Sequence, residues 1–333
     1  MAEGEVGVPQ SSGIAGLAAG LHPAVRAIVL ESLRRGVGQT LSTNVQFKRE
    51  HDIGAGTMQR ALELLRERGA LRVVSRGHLG RVIEAIDVGQ CWQAAGLPPA
   101  SLLLPPSGPA ESDVLDDRLA EEFTRLGIPH TVHHRPGGAG RLAAVVRGEH
   151  DLAVVSAGVL DAAVRASAGG EGGWGAVRRL DPGTYYGPGR LVVVRRAGDP
   201  AGSGSAGTRV AIDRSSPDHA ALTVAEFPES AGHTHVDVPF TAVPAQVLRG
   251  RVDVGIWHIM RSVIPLDLAG LETVPLARPE ARAVRDRLSG AALIVAGTRP
   301  ELAAVLAELR LDDLARVQAA ALAAESAEAD ALG

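Results

Sequence analysis

The sequence predicts an α/β protein with two parts: a small helical domain ending in a β-hairpin, and a larger two-lobed domain in which strands and helices alternate. Three observations predict this. Between residues 41 and 86, two helical patterns precede two β-rich runs around a glycine turn. From residue 101 onward, apolar β-rich runs alternate with helical patterns. A short pattern near residue 150 occurs again near residue 252.

Composition limits the function classes that the chain can belong to. Its 333 residues have room for two or three domains. The single cysteine, Cys91, excludes an intrachain disulfide and a multi-cysteine metal site. There is no apolar run near the roughly 20 residues that cross a bilayer, and residues 1–20 contain no basic residue and lack a signal-peptide pattern. We therefore expect a cytoplasmic protein with no membrane contact and a disordered leader at 1–20.

Charge is distributed unevenly along the chain. The formal net charge is −4, yet residues 21–86 hold eleven Lys and Arg against six Asp and Glu. A basic segment attached to an acidic remainder is what phosphate binding at one end of the molecule requires. An ordinary solvated charged surface is the alternative explanation for this segment.

The helices of the basic segment are predicted by apolar spacing and by residues that end helices. A support helix at 24–35 places Val25, Ile28, Val29 and Leu33 on one face. A short polar helix at 42–51 has Ser42 or Thr43 as its N-cap, and residues 52–54 break it. An amphipathic helix at 55–68 follows, and Gly69 ends it.

The hairpin completes this segment. Residues 71–75 and 82–86 are β-rich, and residues 76–81 (RGHLGR) form a basic turn with two glycines. Helix, break, helix and β-hairpin in fewer than fifty residues predict a winged helix-turn-helix at 21–87 that binds double-stranded DNA.

The chemistry of base and phosphate recognition selects candidate residues in this domain. Residues at the start of the second helix enter the major groove, where arginine pairs with guanine and glutamine with adenine. Basic side chains before this helix and in the hairpin turn would contact phosphates and the minor groove. The candidate DNA-binding residues are Thr43, Lys48, Arg49, Gly56, Thr57, Gln59, Arg60, Arg76, His78 and Arg81. That Gln59 and Arg60 are ordinary exposed residues is the alternative.

Residues 88–100 are expected to form a linker, a short helix followed by a proline-rich joint. Behind it, strands are expected at 101–104, 130–134, 151–155, 208–212, 236–239 and 291–295. Helices are expected at 112–126, 141–147, 300–309 and 312–324, with a glycine loop at 137–140. This alternation predicts a mostly parallel sheet covered on both faces. The effector domain is placed at 101–325, and an Ala/Glu-rich tail at 326–333 is expected to fray.

The recurring pattern indicates two similar lobes. Residues 146–155 read VRGEHDLAVV and residues 248–256 read LRGRVDVGI. A spacing near one hundred residues is too long for a solenoid repeat and suits two α/β lobes. A ligand of such a fold lies in the cleft, at loops that follow the carboxyl ends of strands. The candidate ligand-binding residues are Ser107, Gly138, Ser156, Gly158, Asp213, Ser215, Ser216 and Trp257 at such loops, with Tyr185 from a predicted cross-over tract.

Taken in order, these motifs resemble a known family. GTMQRAL and RGALRVVSRGHLG are similar to GntR-type DNA-binding domains, and DLAVVSAG, VDVGIWHI, LDPGTYY and AIDRSSPDH resemble a type 2 periplasmic-binding-protein fold. Together they resemble YhfZ-type transcriptional regulators over about residues 24–299. The wing departs from that family at His78 and Leu79, where arginine and glycine are more usual. The resemblance implies a sequence-specific regulator without naming its operator.

The sequence therefore predicts a metabolite-responsive, homodimeric DNA-binding regulator with a small polar or carboxylated effector, no cofactor, no metal and no enzyme activity. The alternative is a small-molecule or dinucleotide-using α/β enzyme with an appended basic domain. Residues 138–143 (GAGRLA) have the spacing of a dinucleotide-binding loop but lack the carboxylate expected about twenty residues later. No nucleophile elbow occurs, and His233 with His235 supplies only two metal ligands.

Overall fold

The computed structural model describes residues 21–77, 80–167, 172–199, 207–260 and 265–332. The predicted leader at 1–20 and His78, predicted to lie in a wing, are therefore outside the described residues. Within these ranges, no helix combines the length and the apolar character that a membrane span requires. The chain divides into two compact units, of which the first comprises the described residues up to Ala100 with 123–129 and 300–308.

The first unit begins with three helices and a two-stranded antiparallel sheet. These are α1 (His22–Arg35), α2 (Asn44–His51), α3 (Ala55–Glu67), β1 (Leu71–Ser75) and β2 (Arg81–Ile86). The predicted apolar faces form the core, with Ile28, Phe47, Met58 and Leu65 all fully buried. Every element of this segment lies within a few residues of its predicted position, because both periodicity and helix-ending residues mark it.

Local chemistry fixes the α2–α3 connection. Thr43 caps α2: its hydroxyl accepts a hydrogen bond from the Gln46 amide at 3.3 Å, and the Gln46 side chain accepts from the Thr43 amide at 2.7 Å. Asp52 ends α2 in the left-handed conformation, with φ at 57°. This conformation lets the chain turn sharply before α3 begins at Ala55.

The segment predicted as a linker contains a packed helix, α4 (Val88–Ala94). Trp92 and Cys91 on this helix are buried, and the Cys91 thiol lies 3.2 Å from the Ala70 carbonyl oxygen. Gly89 lies so close to the Leu126 carbonyl that a Cβ would overlap it. The predicted short helix is confirmed. Its apolar side chains are buried, so this segment is packed and does not form an open joint. Helix α11 (Leu302–Glu308) belongs to the same unit.

The second unit comprises residues 101–122, 130–299 and 309–332 and contains two five-stranded sheets. The first sheet has the order β4-β3-β5-β12-β6, with β3 (Ala100–Leu104), β4 (His130–His134), β5 (Leu152–Ser156), β6 (Trp174–Arg179) and β12 (Ala291–Ala296). The second has the order β11-β7-β10-β8-β9, with β7 (Leu191–Arg196), β8 (Arg209–Ile212), β9 (Thr234–Asp237), β10 (Val254–His258) and β11 (Leu271–Pro275).

Helices connect and cover the strands of both sheets. They are α5 (Ala110–Arg125), α6 (Gly138–Val146), α7 (Ala157–Ala166), α8 (Pro217–Glu226), α9 (Val243–Leu248), α10 (Pro279–Leu288) and α12 (Leu314–Leu332). Short 3-10 turns occur at Glu229–Ala231 and Phe240–Ala242. Separate apolar cores fill the lobes, one around Val155 and Ile294 and another around Val193 and Ile256.

The prediction of a mostly parallel sheet was wrong, because each sheet is mixed. Strands β3 and β5 pair in parallel, as β8 does with β9 and β10. Strand β12, however, runs antiparallel to both β5 and β6, and β7 runs antiparallel to β10. The chain leaves the first sheet after β6 and returns to it only in β12. A strand that arrives from the other lobe lacks the βαβ crossover that makes neighbours parallel.

The repeated sequence pattern occupies equivalent places in the two sheets. In the first sheet, the Asp151 amide donates to the Ser101 carbonyl at 2.9 Å and the Asp151 carboxylate accepts from the Ser101 amide at 2.8 Å. In the second, Asp253 makes the same two bonds with Arg209, each at 2.8 Å. Each aspartate therefore fastens the start of a central strand to its parallel neighbour, which explains why this residue recurs.

Two predicted boundaries shifted. The predicted glycine loop at 137–140 is mostly helix, because α6 begins at Gly138 after Gly137 turns the chain with φ at 80°. Helix α12 extends through Leu332, since alanine and glutamate favour helix; fraying of the tail stays a prediction. Strands β6, β7 and β11 were not predicted from the sequence.

Candidate functional site

A cavity of about 480 Å³ lies between the loops of the two sheets in the second unit. Pro105 follows β3, Asp213 follows β8, and Trp257 and His258 end β10. Residues Gly137 and Gly138 bring the start of α6 to the same place. These are carboxyl ends of strands, where the architecture leaves side chains and helix N-termini free to face a ligand.

Seven of the nine predicted ligand-binding residues line this cavity: Ser107, Gly138, Tyr185, Asp213, Ser215, Ser216 and Trp257. The other two, Ser156 and Gly158, do not. The Ser156 hydroxyl is fully buried and caps α7 by accepting from the Val159 amide. Gly158 is packed so tightly against Asp218 and Leu288 that a Cβ would overlap both. The loop predicted at 156–158 is absent, because Ser156 ends β5 and α7 begins at Ala157, and residues of α8 and α10 cover this turn.

Asp218 is a lining residue that the sequence analysis missed. Its Oδ2 accepts hydrogen bonds from the Ser156 hydroxyl at 2.5 Å and from the Tyr186 hydroxyl at 2.9 Å. Among the described residues, Oδ1 has no partner. Only 3% of the side chain is exposed, and this burial raises the carboxyl pKa. A buried carboxylate oxygen without a donor is costly, so this atom favours a ligand that supplies one.

Arg141 was also missed as a site residue. It lies on α6, is 1% exposed and lines the cavity. Its guanidinium donates to the Val154 carbonyl at 2.8 Å, the Arg135 carbonyl at 2.6 Å and the Tyr185 hydroxyl at 2.5 Å. The available signal was an arginine inside an otherwise apolar helix face, since Leu142 is buried beside it. Such a residue needs buried partners.

Aromatic side chains form much of the remaining wall. Trp257 and Phe240 stack with ring centroids 4.9 Å apart and an interplanar angle of 25°. Tyr185 and Tyr186 meet edge to face at 4.7 Å. Only 3% of the chain is aromatic, yet both tyrosines, one of the three tryptophans and one of the four phenylalanines line this one cavity. The predicted planar wall at Trp257 is therefore present, with Phe240 against it.

Asp213 carries a second carboxylate on the cavity wall. Its Oδ1 accepts from the Ser215 amide and hydroxyl at 2.9 and 2.6 Å, and its Oδ2 accepts from the Phe240 amide at 2.7 Å. Partial burial opposes the charged form, but these donors outweigh it and lower the pKa of Asp213. The carboxylate is thus ionised and fixed beside Phe240.

His219 is hydrogen-bonded to the backbone of the loop that carries Asp213. Its Nδ1 accepts from the Asp213 amide at 2.8 Å, which leaves Nε2 to donate to the Ile256 carbonyl at 3.2 Å. These partners require the neutral ring. Burial lowers the pKa of His219 from 6.5 to about 4.

We expect this buried histidine to make stability depend on pH. Between pH 6.5 and pH 4 this histidine is protonated in the unfolded chain but stays neutral in the folded protein. Stability that is present above pH 6.5 is therefore lost as the pH falls. Lowering the pH from 7 to 5 should decrease the free energy of unfolding of the native protein by about 2 kcal/mol more than that of the His219→Gln variant. Urea unfolding at both pH values measures this. Equal losses in the two proteins would contradict it.

In the first unit, helix α3 presents its amino-terminal turns to solvent. Gly56, Gln59 and Arg60 are exposed, while Thr57 is half-buried. Gln59 donates to Glu63 at 3.1 Å, and Arg60 makes no ion pair with any residue that the structure describes. A surface groove beside this helix is lined by Asn44, Val45, Lys48, Arg49, Gly54 and Ala55.

Other predicted DNA-contacting residues have intramolecular partners. Lys48 pairs with Asp52 and Arg49 with Glu50, all on the exposed surface. Thr43 serves α2 as its cap.

The two arginines of the hairpin differ. Arg81 is half-buried and donates to the Asn44 side chain at 2.7 Å and to the Met58 sulfur at 3.2 Å, so it attaches the hairpin to the helices. Arg76 is exposed, and its amide donates to the Gly80 carbonyl. Of the two, Arg76 is the one free to reach outward.

Comparison with known proteins identifies the family. The model of the YhfZ C-terminal domain matches residues 87–329, well over half of the chain. The chain belongs to the YhfZ family. Among solved structures, YhfZ from Shigella flexneri matches with a TM-score of 0.52 and 21% identity, covering 72% of this chain and 96% of that one. The two-sheet α/β fold is therefore shared with a YhfZ protein.

Other solved structures match this YhfZ-family chain at lower scores. The periplasmic aliphatic sulphonate binding protein SsuA from Escherichia coli has a TM-score of 0.43 at 19% identity, over 66% of this chain and 75% of that one. The periplasmic VFT2 domain of BvgS from Bordetella pertussis matches with a TM-score of 0.44 and 18% identity, covering 69% of this chain and 96% of that one. No curated protein sequence matches significantly.

Proposed function

We propose that the chain is a cytoplasmic, metabolite-responsive transcriptional regulator. Residues 21–87 act as a winged helix that binds double-stranded DNA, and residues 101–325 bind a small polar or carboxylated effector. The boundary is supported by the family match, which begins at residue 87. The observation that carries the proposal is the cavity, since seven of the residues predicted to bind a ligand line it together.

The effector site has the features of a ligand cavity. Its volume lies within the range of small-molecule sites, and its walls combine apolar rings with a few convergent polar groups. At one end, α6 begins at Gly138 without a side-chain cap on Gly137. The free amide groups of that first turn, with Arg141 nearby, favour a carboxylate or another acceptor group on the effector.

The proposed DNA surface joins helix α3 to the basic groove beside it. Arg60 and Gln59 are exposed near the start of α3, the part of a recognition helix that contacts base edges. Lys48 and Arg49 line the adjacent groove and would contact phosphates. The ion pairs of Lys48 and Arg49 are exposed and therefore worth little, so phosphates can replace Asp52 and Glu50 as partners. Arg76 extends the surface, whereas Arg81 holds the hairpin in place.

Regulation would arise through a homodimer that reads two half-sites. Effector binding can change operator affinity only by its differential affinity for two arrangements of the dimer, typically about 1–3 kcal/mol. The effect on DNA binding should therefore be about 5- to 150-fold.

Binding of the purified protein to sheared DNA from its own genome, followed by sequencing, tests the proposal. Enrichment of one short inverted repeat supports a dimeric regulator and identifies its target genes. Binding that is salt-sensitive but blind to sequence would reject base reading, because phosphate contacts alone give that behaviour.

A further inference from the structure

Building on the proposed effector site, we propose that the effector carries a protonated amine, which binds between the Trp257–Phe240 pair and the Asp213 carboxylate. This assigns a chemical class to one end of the ligand. The carboxylate or other acceptor group proposed above would lie at the opposite end, against α6. Three features of the second sheet's side of the cavity carry the inference.

The first feature is the concentration of aromatic rings. Cation–π attraction requires a ring face that an ammonium group can approach. Trp257 supplies the best such face, and its stacking on Phe240 holds the indole in one orientation. Trp257 is 8% exposed and Phe240 is half-buried, so a cation there would be largely removed from water, where the interaction is stronger.

The second feature is the position of the Asp213 charge. The carboxylate is bonded to the backbone amide of Phe240, the same residue whose ring stacks on Trp257. Carboxylate and aromatic pair therefore belong to one local cluster. The Oδ1 atom already accepts two hydrogen bonds from Ser215, whereas Oδ2 accepts only from the Phe240 amide and can accept one further donor.

The third feature is the charge balance of the wall. Among the described lining residues, Asp213 and Asp218 face a single guanidinium, that of Arg141. Three groups already accept from Arg141. His258, the other basic lining residue, is bound to Glu111 at 2.8 Å. A ligand cation is attracted by the ionised Asp213 carboxylate, whereas an anion beside Asp213 would be repelled.

The three tryptophans of the chain provide a direct test. With ¹⁵N-labelled indole nitrogens the intact protein gives three signals, of which Trp257→Phe assigns one. Trp92 and Trp174 are not among the lining residues and act as internal controls. The probes are n-butylamine, 4-aminobutyrate, 1-butanol and butyrate at equal concentrations near neutral pH.

We expect the two amines to shift the Trp257 signal saturably while Trp92 and Trp174 stay in place. Asp213→Asn should weaken amine binding about tenfold or more, since it removes a charged hydrogen bond. Asp267→Asn, which removes an exposed carboxylate that does not line the cavity, should leave amine binding unchanged.

A Trp257 shift by butyrate or 1-butanol as large as that by the amines would overturn the inference, as would the absence of any amine-induced shift. Neither result would reject the proposed regulator, which is tested separately by sequence-selective DNA binding. Conversely, amine binding at Trp257 in a protein that reads no DNA sequence would support this inference and reject the regulator.

Discussion

Replacing Arg60 with alanine should lower operator affinity by about 2–6 kcal/mol in a dimer. Each two-pronged arginine–guanine contact is worth about 1–3 kcal/mol of discrimination, and a dimer carries two copies. Arg60 is exposed on α3 and forms no ion pair within the described ranges, so its removal leaves the fold intact. Fluorescence anisotropy with operator and with random DNA measures the effect, and random DNA should bind almost as before.

Arg66→Ala is the matched control for this change. Arg66 is exposed on the last turn of the same helix, so the variant removes the same charge away from the proposed base-reading turn. It should lower affinity for both DNAs slightly and equally. Equal losses for operator and random DNA with Arg60→Ala would instead place Arg60 among the phosphate contacts.

Replacing Trp257 with alanine should abolish the effector response while leaving a folded protein. The indole lines the cavity and packs on Phe240, and its loss removes the widest apolar face of the wall. Because Trp257 is 8% exposed, unfolding free energy should fall by about 3–5 kcal/mol. Operator affinity titrated with small-molecule cell extract measures the response, and circular dichroism checks the fold.

Trp257→Phe separates loss of the wall from loss of stability. It keeps an aromatic face and should retain part of the effector response. An effector dose-response in Trp257→Ala identical to that of the native protein would place the effector elsewhere than in this cavity.

Local sequence patterns predicted several strands, the two lobes and most of the candidate cavity residues. The bounds of β1 and β4 were predicted without error, because glycine or proline lies within two residues of each end of both runs. The recurring Gly-x-x-Asp pattern located β5 and β10 in two lobes, and the structure explains it through Asp151 and Asp253. Six of the seven predicted cavity residues followed from the rule that sites lie at the carboxyl ends of strands, and Tyr185 followed from its place in a cross-over tract.

Long-range pairing set the limit of that prediction. Strand β12 enters the first sheet between β5 and β6 after more than a hundred residues in the other lobe, and no local pattern reports its neighbours or direction. Arg141 and Asp218 become site residues only because Tyr185 and Tyr186 join them across the fold. Burial of Ser156 by α8 was invisible for the same reason.

The central claim is that a small molecule in this cavity controls sequence-specific DNA binding. Its most direct test is the affinity of the purified chain for its enriched inverted repeat, with and without small-molecule cell extract. We expect a change of about 5- to 150-fold for the native protein and none for Trp257→Ala. An affinity for that repeat that extract leaves unchanged in both proteins would contradict effector control.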